Sequence, residues 1–178
     1  MTSPASRSAH IVLIGMMGVG KSTVGRRVAK ELARPFFDSD DEVVARSGRA
    51  VAEIFATDGE PAFREIEAEV MTQLLASPTP SVIAAAGGSV LNPTTRAHLR
   101  ESGTVVWMRA PVDVLVGRTS RGTHRPALAD NPRATLTQME ADREQLYEEV
   151  ADLKVDCTAP LASVVATIVR AVSGGDSQ

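Results

Sequence analysis

The sequence predicts an α/β fold with a central five-stranded parallel sheet flanked by helices. Two observations carry the prediction. Short apolar runs alternate with longer amphipathic ones along nearly the whole chain, and strands joined through helices return to the same end of a sheet and so run parallel. The second is Gly-Met-Met-Gly-Val-Gly-Lys-Ser at 15–22, a complete GxxxxGK[ST] phosphate loop between an apolar run and a helical segment.

The run Ile-Val-Leu-Ile at 11–14 makes the core of the first strand, 10–14, and a helix over 21–33 follows the phosphate loop directly. A second strand at 35–38 leads into a helix over 40–47, which Gly48 ends in a C-cap position. A helical pattern covers 51–75, and Ser-Pro-Thr-Pro at 77–80 forms the loop before a third strand at 81–85. A helix over 94–101 precedes Gly103, again placed as a C-cap, and a fourth strand at 104–108. Pro111 and Pro132 open helices over 111–119 and 132–150, at first-turn positions that tolerate proline. A fifth strand at 153–156 and a helix over 161–172 complete the pattern, with no internal repeat or low-complexity segment.

Composition narrows the function classes. With 178 residues, 43% hydrophobic and 23% charged, the chain reads as one domain over 10–173 with a flexible leader at 1–9 and a flexible tail at 174–178. The net charge of −3, with basic residues interspersed among acids, offers no basic field for nucleic acid. No apolar run approaches the ~20 residues of a membrane-spanning helix, and the leader lacks the apolar segment of a secretion signal. The single cysteine, Cys157, permits no internal disulfide and reads as a small buried hydrophobe in a reducing compartment. The cytoplasm is the expected location. His10, His98 and His124 show no metal-ligand spacing, and Trp107 reads as core. The methionines also read as packing, although Met16 and Met17 occupy the variable positions of the phosphate loop.

The phosphate loop carries the strongest chemical signal. Its glycines let backbone N–H groups of Gly18, Val19 and Gly20 converge on one spot at a helix N-terminus, where partial positive charge favours a phosphate. Lys21 is then in reach of the β- and γ-phosphates of a nucleotide, and the Ser22 hydroxyl is suited to ligating Mg²⁺. The second strand ends in Asp38-Ser39-Asp40. In open parallel sheets, ligands bind at the carboxyl ends of the strands, so Asp38 can face the metal and Asp40 the hydroxyl that attacks the γ-phosphate. Asp41 and Glu42 read instead as a solvated helix start. Ala86-Gly87-Gly88-Ser89 follows the third strand. It reads equally as a backbone surface for a ligand and as a plain tight turn. Arg64, Arg125 and Arg143 are placed where separated guanidinium forks could clamp an anion, whereas Arg26, Arg27, Arg46, Arg49 and Arg133 read as surface residues. The segment 118–130 has the composition of a mobile lid, which a kinase needs to exclude water.

In this order, these motifs resemble the shikimate kinase family. The resemblance runs over nearly the whole chain: the phosphate loop with Thr23, the Asp38 and Asp40 pair, Ile54 to Glu60 followed by Phe63-Arg64 and Glu67, the Gly87-Gly88 turn, Arg125-Pro126, and Arg143 before Leu146-Tyr147. It implies a three-layer, nucleoside-monophosphate-kinase-like P-loop fold with a substrate-binding part over about 39–75. The implied reaction moves the ATP γ-phosphoryl to the 3-hydroxyl of shikimate, in the route to chorismate and aromatic amino acids. By the same analogy, Asp40 holds the acceptor hydroxyl and takes its proton, and Asp38 supports the Mg²⁺ shell with Ser22. Arg64 and Arg143 clamp the shikimate carboxylate, helped by the Gly87 and Gly88 backbone. Lys21 and Arg125 neutralise the transferring phosphoryl group, Arg118 lies along the adenine face, and the protein is a monomer.

Two departures stand out. The family commonly has three successive glycines at the substrate turn, and here the first is Ala86; if that position needs a positive φ, alanine is strained there. The segment 157–160 is shorter than the family's usual adenine loop and lacks its arginine, which bears on ATP affinity and purine choice. A related kinase with a gluconate-type acceptor, or a nucleotide-binding module without turnover, are the alternatives. Arg64 and Arg143 speak against the first, and Asp38, Asp40 and Arg125 against the second.

Overall fold

The computed structural model describes residues 10–120 and 131–174. The expected leader at 1–9, tail residues 175–178, and residues 121–130 of the expected lid segment, with His124 and Arg125 among them, lie outside the described residues. The strands are β1 (His10–Ile14), β2 (Phe36–Asp38), β3 (Val82–Ala84), β4 (Gly103–Arg109) and β5 (Leu153–Asp156). They pair in the order β2-β3-β1-β4-β5, every pair parallel. The chain winds from β1 to one side through β2 and β3, then crosses to the other side for β4 and β5. The carboxyl end of β1 is therefore the point where winding reverses, which is where open α/β sheets bind ligands.

Helices cover the sheet. They are α1 (Lys21–Glu31), α2 (Ser39–Ser47), α3 (Val51–Thr57), α4 (Gly59–Leu75), α5 (Pro93–Ser102), α6 (Val112–Thr119), α7 (Pro132–Val150) and α8 (Leu161–Ser173), with a 3₁₀ turn at Ser89–Leu91. Every residue of β1 is buried. Around it, Val28, Met71, Leu99, Val105, Leu115, Leu136 and Ile168 are each fully withdrawn from solvent, so the sheet is coated on both faces, as an all-parallel sheet must be. Truncating one of these core side chains to alanine costs about 2–5 kcal/mol. A smaller cluster of Val43, Ile54, Phe63 and Val70 ties α2, α3 and α4 together beside the sheet.

All five expected strands are present, each within a residue or so of its expected ends. The helical run expected over 51–75 divides into α3 and α4. Gly59 has φ +81°, a left-handed conformation that no α-helix continues through. Pro61 supplies no N–H and so suits the first turn of a new helix. Arg49 holds the junction by donating from Nη1 to Asp58 at 2.6 Å. α1 stops at Glu31 rather than 33, because Ala33 turns to φ +51°. Pro111 is the N-cap of α6 rather than its first helical residue, while Pro132 does open α7, behind an Asn131 side chain that accepts from Ala134 N–H. Gly48 caps α2 at φ +66°, as expected.

Candidate active site

The phosphate loop leaves β1 at Gly15 and enters α1 at Lys21. Gly20, the N-cap of α1, has φ +103° and no side chain to fill the turn. No acidic residue of α1 itself lies in its first turn, which leaves the positive end of the helix dipole to groups brought from elsewhere. Lys21 Nζ curls over the loop and donates to the carbonyls of Gly15 at 2.7 Å and Met16 at 3.0 Å. Val19 and Met16 are buried under the loop, and Thr23 is exposed on α1.

Parallel register brings the second element to the loop. Asp38 pairs with Ala84, which also pairs with Leu13, so the carboxyl ends of β2, β3 and β1 lie side by side. The Ser22 hydroxyl donates to Asp38 Oδ2 at 2.5 Å, while Asp38 Oδ1 accepts the Asp40 N–H at 3.1 Å and caps α2. One carboxylate thus sets both the Ser22 hydroxyl and the start of the helix that carries Asp40. Asp40 keeps an accessible face. Its carboxyl is pushed above the ordinary range, first by lost hydration and then by the charge of Asp38, with Lys21 and Arg64 pulling the other way.

The third part of the site surrounds the turn after β3. A methyl group on Gly88 would stand 2.1 Å from Arg64 Nη1 and 2.5 Å from Arg64 Cζ. Glycine is needed there for space and not for backbone freedom, since its φ of −93° suits any residue. A methyl on Gly87 would lie 3.2 Å from the Gly15 carbonyl oxygen and 3.6 Å from Arg143 Nη1. The turn therefore sits between the phosphate loop and both arginines. Ala86 departs from the expectation of strain: among the described residues the only non-glycine with positive φ is Ala33. Ala86 donates its N–H to the buried Ser39 hydroxyl at 2.8 Å.

Arg64 reaches this turn from α4 and Arg143 from α7. Arg64 Nη1 donates to Glu67 Oε2 at 2.9 Å, and Nε and Nη2 donate to Glu60 Oε1 at 3.2 and 3.0 Å. Glu67 is 2% exposed, and its other oxygen, Oε1, is buried without a hydrogen-bond partner. Burial pushes the Glu67 carboxyl up, and Arg64 pulls it back. Arg143 is buried at 7% exposure, which for an arginine requires an anionic or polar destination. Arg118 binds two carbonyls, donating from Nη1 to Val19 at 3.2 Å and from Nη2 to Cys157 at 2.7 Å. It links the phosphate loop to the loop after β5. Cys157 is buried, and lost hydration pushes its thiol up to about 11, consistent with the small hydrophobe read from the sequence.

Lys21, Ser22, Asp38, Asp40, Arg64, Gly87, Gly88 and Arg143 are thus gathered at one end of the sheet, with Arg118 behind the loop; Arg125 lies outside the described residues. Arg26, Arg46, Arg49 and Arg133, read as surface residues, pair with Asp41, Glu69, Asp58 and Asp113. Sequence reasoning did not single out Ser39, Glu60, Glu67 or Tyr147 as parts of the site. Helical spacing could have found two of them: Glu67 follows Arg64 by three residues and Tyr147 follows Arg143 by four, each on the same helix face.

The model of the shikimate kinase family matches residues 17–173. A shikimate kinase of Ralstonia nicotianae is 43% identical over 162 residues, covering 90% of this chain and 85% of that one. The structure of a shikimate kinase from Acinetobacter baumannii in complex with shikimate superposes with a TM-score of 0.90 at 33% identity, covering 96% of both chains. A gluconokinase from Sinorhizobium meliloti shares the fold at a TM-score of 0.67 and 24% identity, covering 94% of this chain and 93% of that one. With residues 17–22 of the phosphate loop, the paired aspartates and the arginine-flanked glycine turn inside the matched region, the chain belongs to the shikimate kinase family.

Proposed function

We propose that this protein transfers the γ-phosphoryl group of ATP to the 3-hydroxyl of shikimate, giving shikimate 3-phosphate and ADP. The observation that carries the reading is the approach of Arg64 and Arg143 to the Gly87 and Gly88 backbone, directly beside the phosphate loop. A ring carboxylate suits that double fork, since each guanidinium can hold two oxygens. The unpartnered, buried Glu67 Oε1 is an acceptor for a hydroxyl of the same ligand. A gluconate-type acceptor finds support only in a fold likeness, which does not specify function.

The acceptor oxygen attacks the γ-phosphorus, its proton passes to the Asp40 carboxylate, and the bond to the β–γ bridging oxygen breaks to release ADP. A carboxyl raised above its ordinary pKa, as Asp40 is, is a better proton acceptor than a free aspartate. Lys21 and the loop N–H groups hold the phosphates and offset charge as it builds, and by the family resemblance Arg125 would add to this. Such transfer depends on positioning and charge more than on covalent help. Arg118 supports the adenine side.

The donor set fits Mg²⁺. Ser22 and Asp38 present two hard oxygens in contact, and among the described residues no group of three or more His, Cys, Asp or Glu could cage an ion. Mg²⁺ takes one or two protein oxygens and completes its shell with phosphates and water. Ser22 and Asp38 would hold the ion, which when bound would supply positive charge against the phosphates. No helix is long and apolar enough to cross a membrane among the described residues, and we take the protein to act as a cytoplasmic monomer.

The test is ADP release from Mg·ATP by the purified protein with shikimate, with gluconate, and with neither. Turnover that requires shikimate is the expected result. Turnover with gluconate alone would replace the acceptor, and nucleotide binding without turnover on either would remove the enzyme.

A further inference from the structure

We propose that Tyr147 is a positioning residue for the acceptor: its hydroxyl orients the peptide between Gly87 and Gly88, and so the N–H that meets the acceptor carboxylate. This rests on the shikimate reading above. Tyr147 is 1% exposed on α7, and its ring packs against Trp107 of β4 with centroids 5.6 Å apart and planes 31° apart. The hydroxyl has two acceptors in reach, the Gly87 carbonyl oxygen at 2.6 Å and Met16 Sδ at 3.9 Å, and its oxygen accepts from the Arg143 guanidinium. It carries one proton, and the Gly87 oxygen is both nearer and the stronger acceptor, so the proton goes to Gly87.

A trans peptide is planar, and its C=O and N–H point in opposite directions. Tyr147 therefore fixes more than the Gly87 carbonyl: it aims the Gly88 N–H away from the core. The N–H groups on either side of the glycine pair are committed, Ala86 to Ser39 Oγ at 2.8 Å and Ser89 to the Ala86 carbonyl at 3.0 Å. Those of Gly87 and Gly88 have no acceptor among the described residues. Two consecutive free donors, flanked by Arg64 and Arg143, suit a carboxylate. Arg143 lies one turn before Tyr147 on the same helix, so α7 delivers an arginine to the ligand and a hydroxyl to the backbone behind it. Burial pushes the phenol up to about 12, and Arg143 pulls it back only in part. The hydroxyl thus remains a donor throughout the neutral range.

Tyr147→Phe keeps the ring packing and removes only the hydroxyl. Shikimate binding by the full chain, measured by calorimetry, should weaken about tenfold, as expected when a buried carbonyl loses its donor. KM for shikimate should rise with it, while KM for ATP stays within about twofold. A purely structural role would instead lower Tm and move both KM values together, or neither. Ser39→Ala releases the Ala86 N–H from the other side of the turn and should weaken shikimate binding in the same selective way. If Tyr147→Phe does not fold, Ser39→Ala decides: a selective loss of shikimate supports the proposal, and unchanged shikimate binding overturns it. Wild-type protein that binds shikimate alongside an equally tight Tyr147→Phe variant overturns this inference alone. Wild-type protein that does not bind shikimate overturns the functional reading as well.

Discussion

The nucleotide side of the site is built from consecutive residues, 15–22, whereas the proposed acceptor side draws Asp40 from the start of α2, Arg64 from α4, Gly87 and Gly88 from the turn after β3, and Arg143 from α7. The first is a backbone device: a left-handed Gly20, a helix N-terminus, and a lysine folded over two carbonyls of its own loop. The second is a packing device. Its glycines matter because other side chains occupy the space their Cβ atoms would need, and its arginines reach the turn only because sheet order aligns the ends of β1, β2 and β3. Binding that relies on local backbone geometry should tolerate change elsewhere, while binding assembled from four elements should be lost selectively when one contact shifts.

The largest effect expected from this contrast is on the nucleotide side. Lys21→Ala removes the charge nearest the transferring group and should lower kcat by at least about 10²–10³-fold. Steady-state rates near wild type would show that the loop has another role. Gly88→Ala comes next. The added methyl displaces the flexible end of Arg64 rather than backbone, so KM for shikimate should rise about tenfold or more, with KM for ATP and the fold largely kept. Equal rises in both constants would mean that the two halves are not separable.

Asp40→Asn tests the junction between the halves. The raised carboxyl pKa means that the folded protein disfavours the charged form. That contribution to stability is present below the unfolded pKa and lost as pH rises through the higher folded value. At neutral pH the asparagine variant should therefore melt at a slightly higher temperature while kcat falls steeply. It should also lose the acid limb of the wild-type pH–rate profile, where rate declines as Asp40 takes up a proton. A lower Tm together with an unchanged limb would remove Asp40 as the base. The smallest effect is expected from Ala86→Gly, because Ala86 has an ordinary φ. Both KM values should stay within about twofold, with stability down by about 0.5–1 kcal/mol from chain entropy alone. A severalfold fall in KM for shikimate would mean that the Ala86 methyl obstructs the ligand.

Legibility in the sequence followed the same division. Residues 15–22 could be read outright because every part of the phosphate loop lies within one turn of its neighbours. Asp38 and Asp40 were legible as a pair at a strand end, and what the structure adds is the cap that Asp38 makes on the Asp40 N–H. The break at Asp58 and Gly59 was less visible, since a helical apolar pattern runs on through it, and only the positive φ of Gly59 and the hold of Arg49 on Asp58 end the first helix. The glycine turn was ambiguous because a close approach by Arg64 leaves no mark on the glycines themselves. Ser39 and Tyr147 were silent for a related reason: their hydroxyls serve backbone groups far away in the chain.

By itself, the sequence determined the alternation of strands and helices, the phosphate loop and the set of charged residues available for chemistry, all of which depend on spacing within a few residues. The tertiary structure decided which of those residues share a site. Parallel pairing in the order β2-β3-β1-β4-β5 sets Asp38, the turn at 86–88 and Gly15 at one edge, and packing of α4 and α7 against that edge brings in Arg64 and Arg143. Hydrogen-bond register and side-chain burial act across tens of residues, and neither has a signature in any single stretch of the chain.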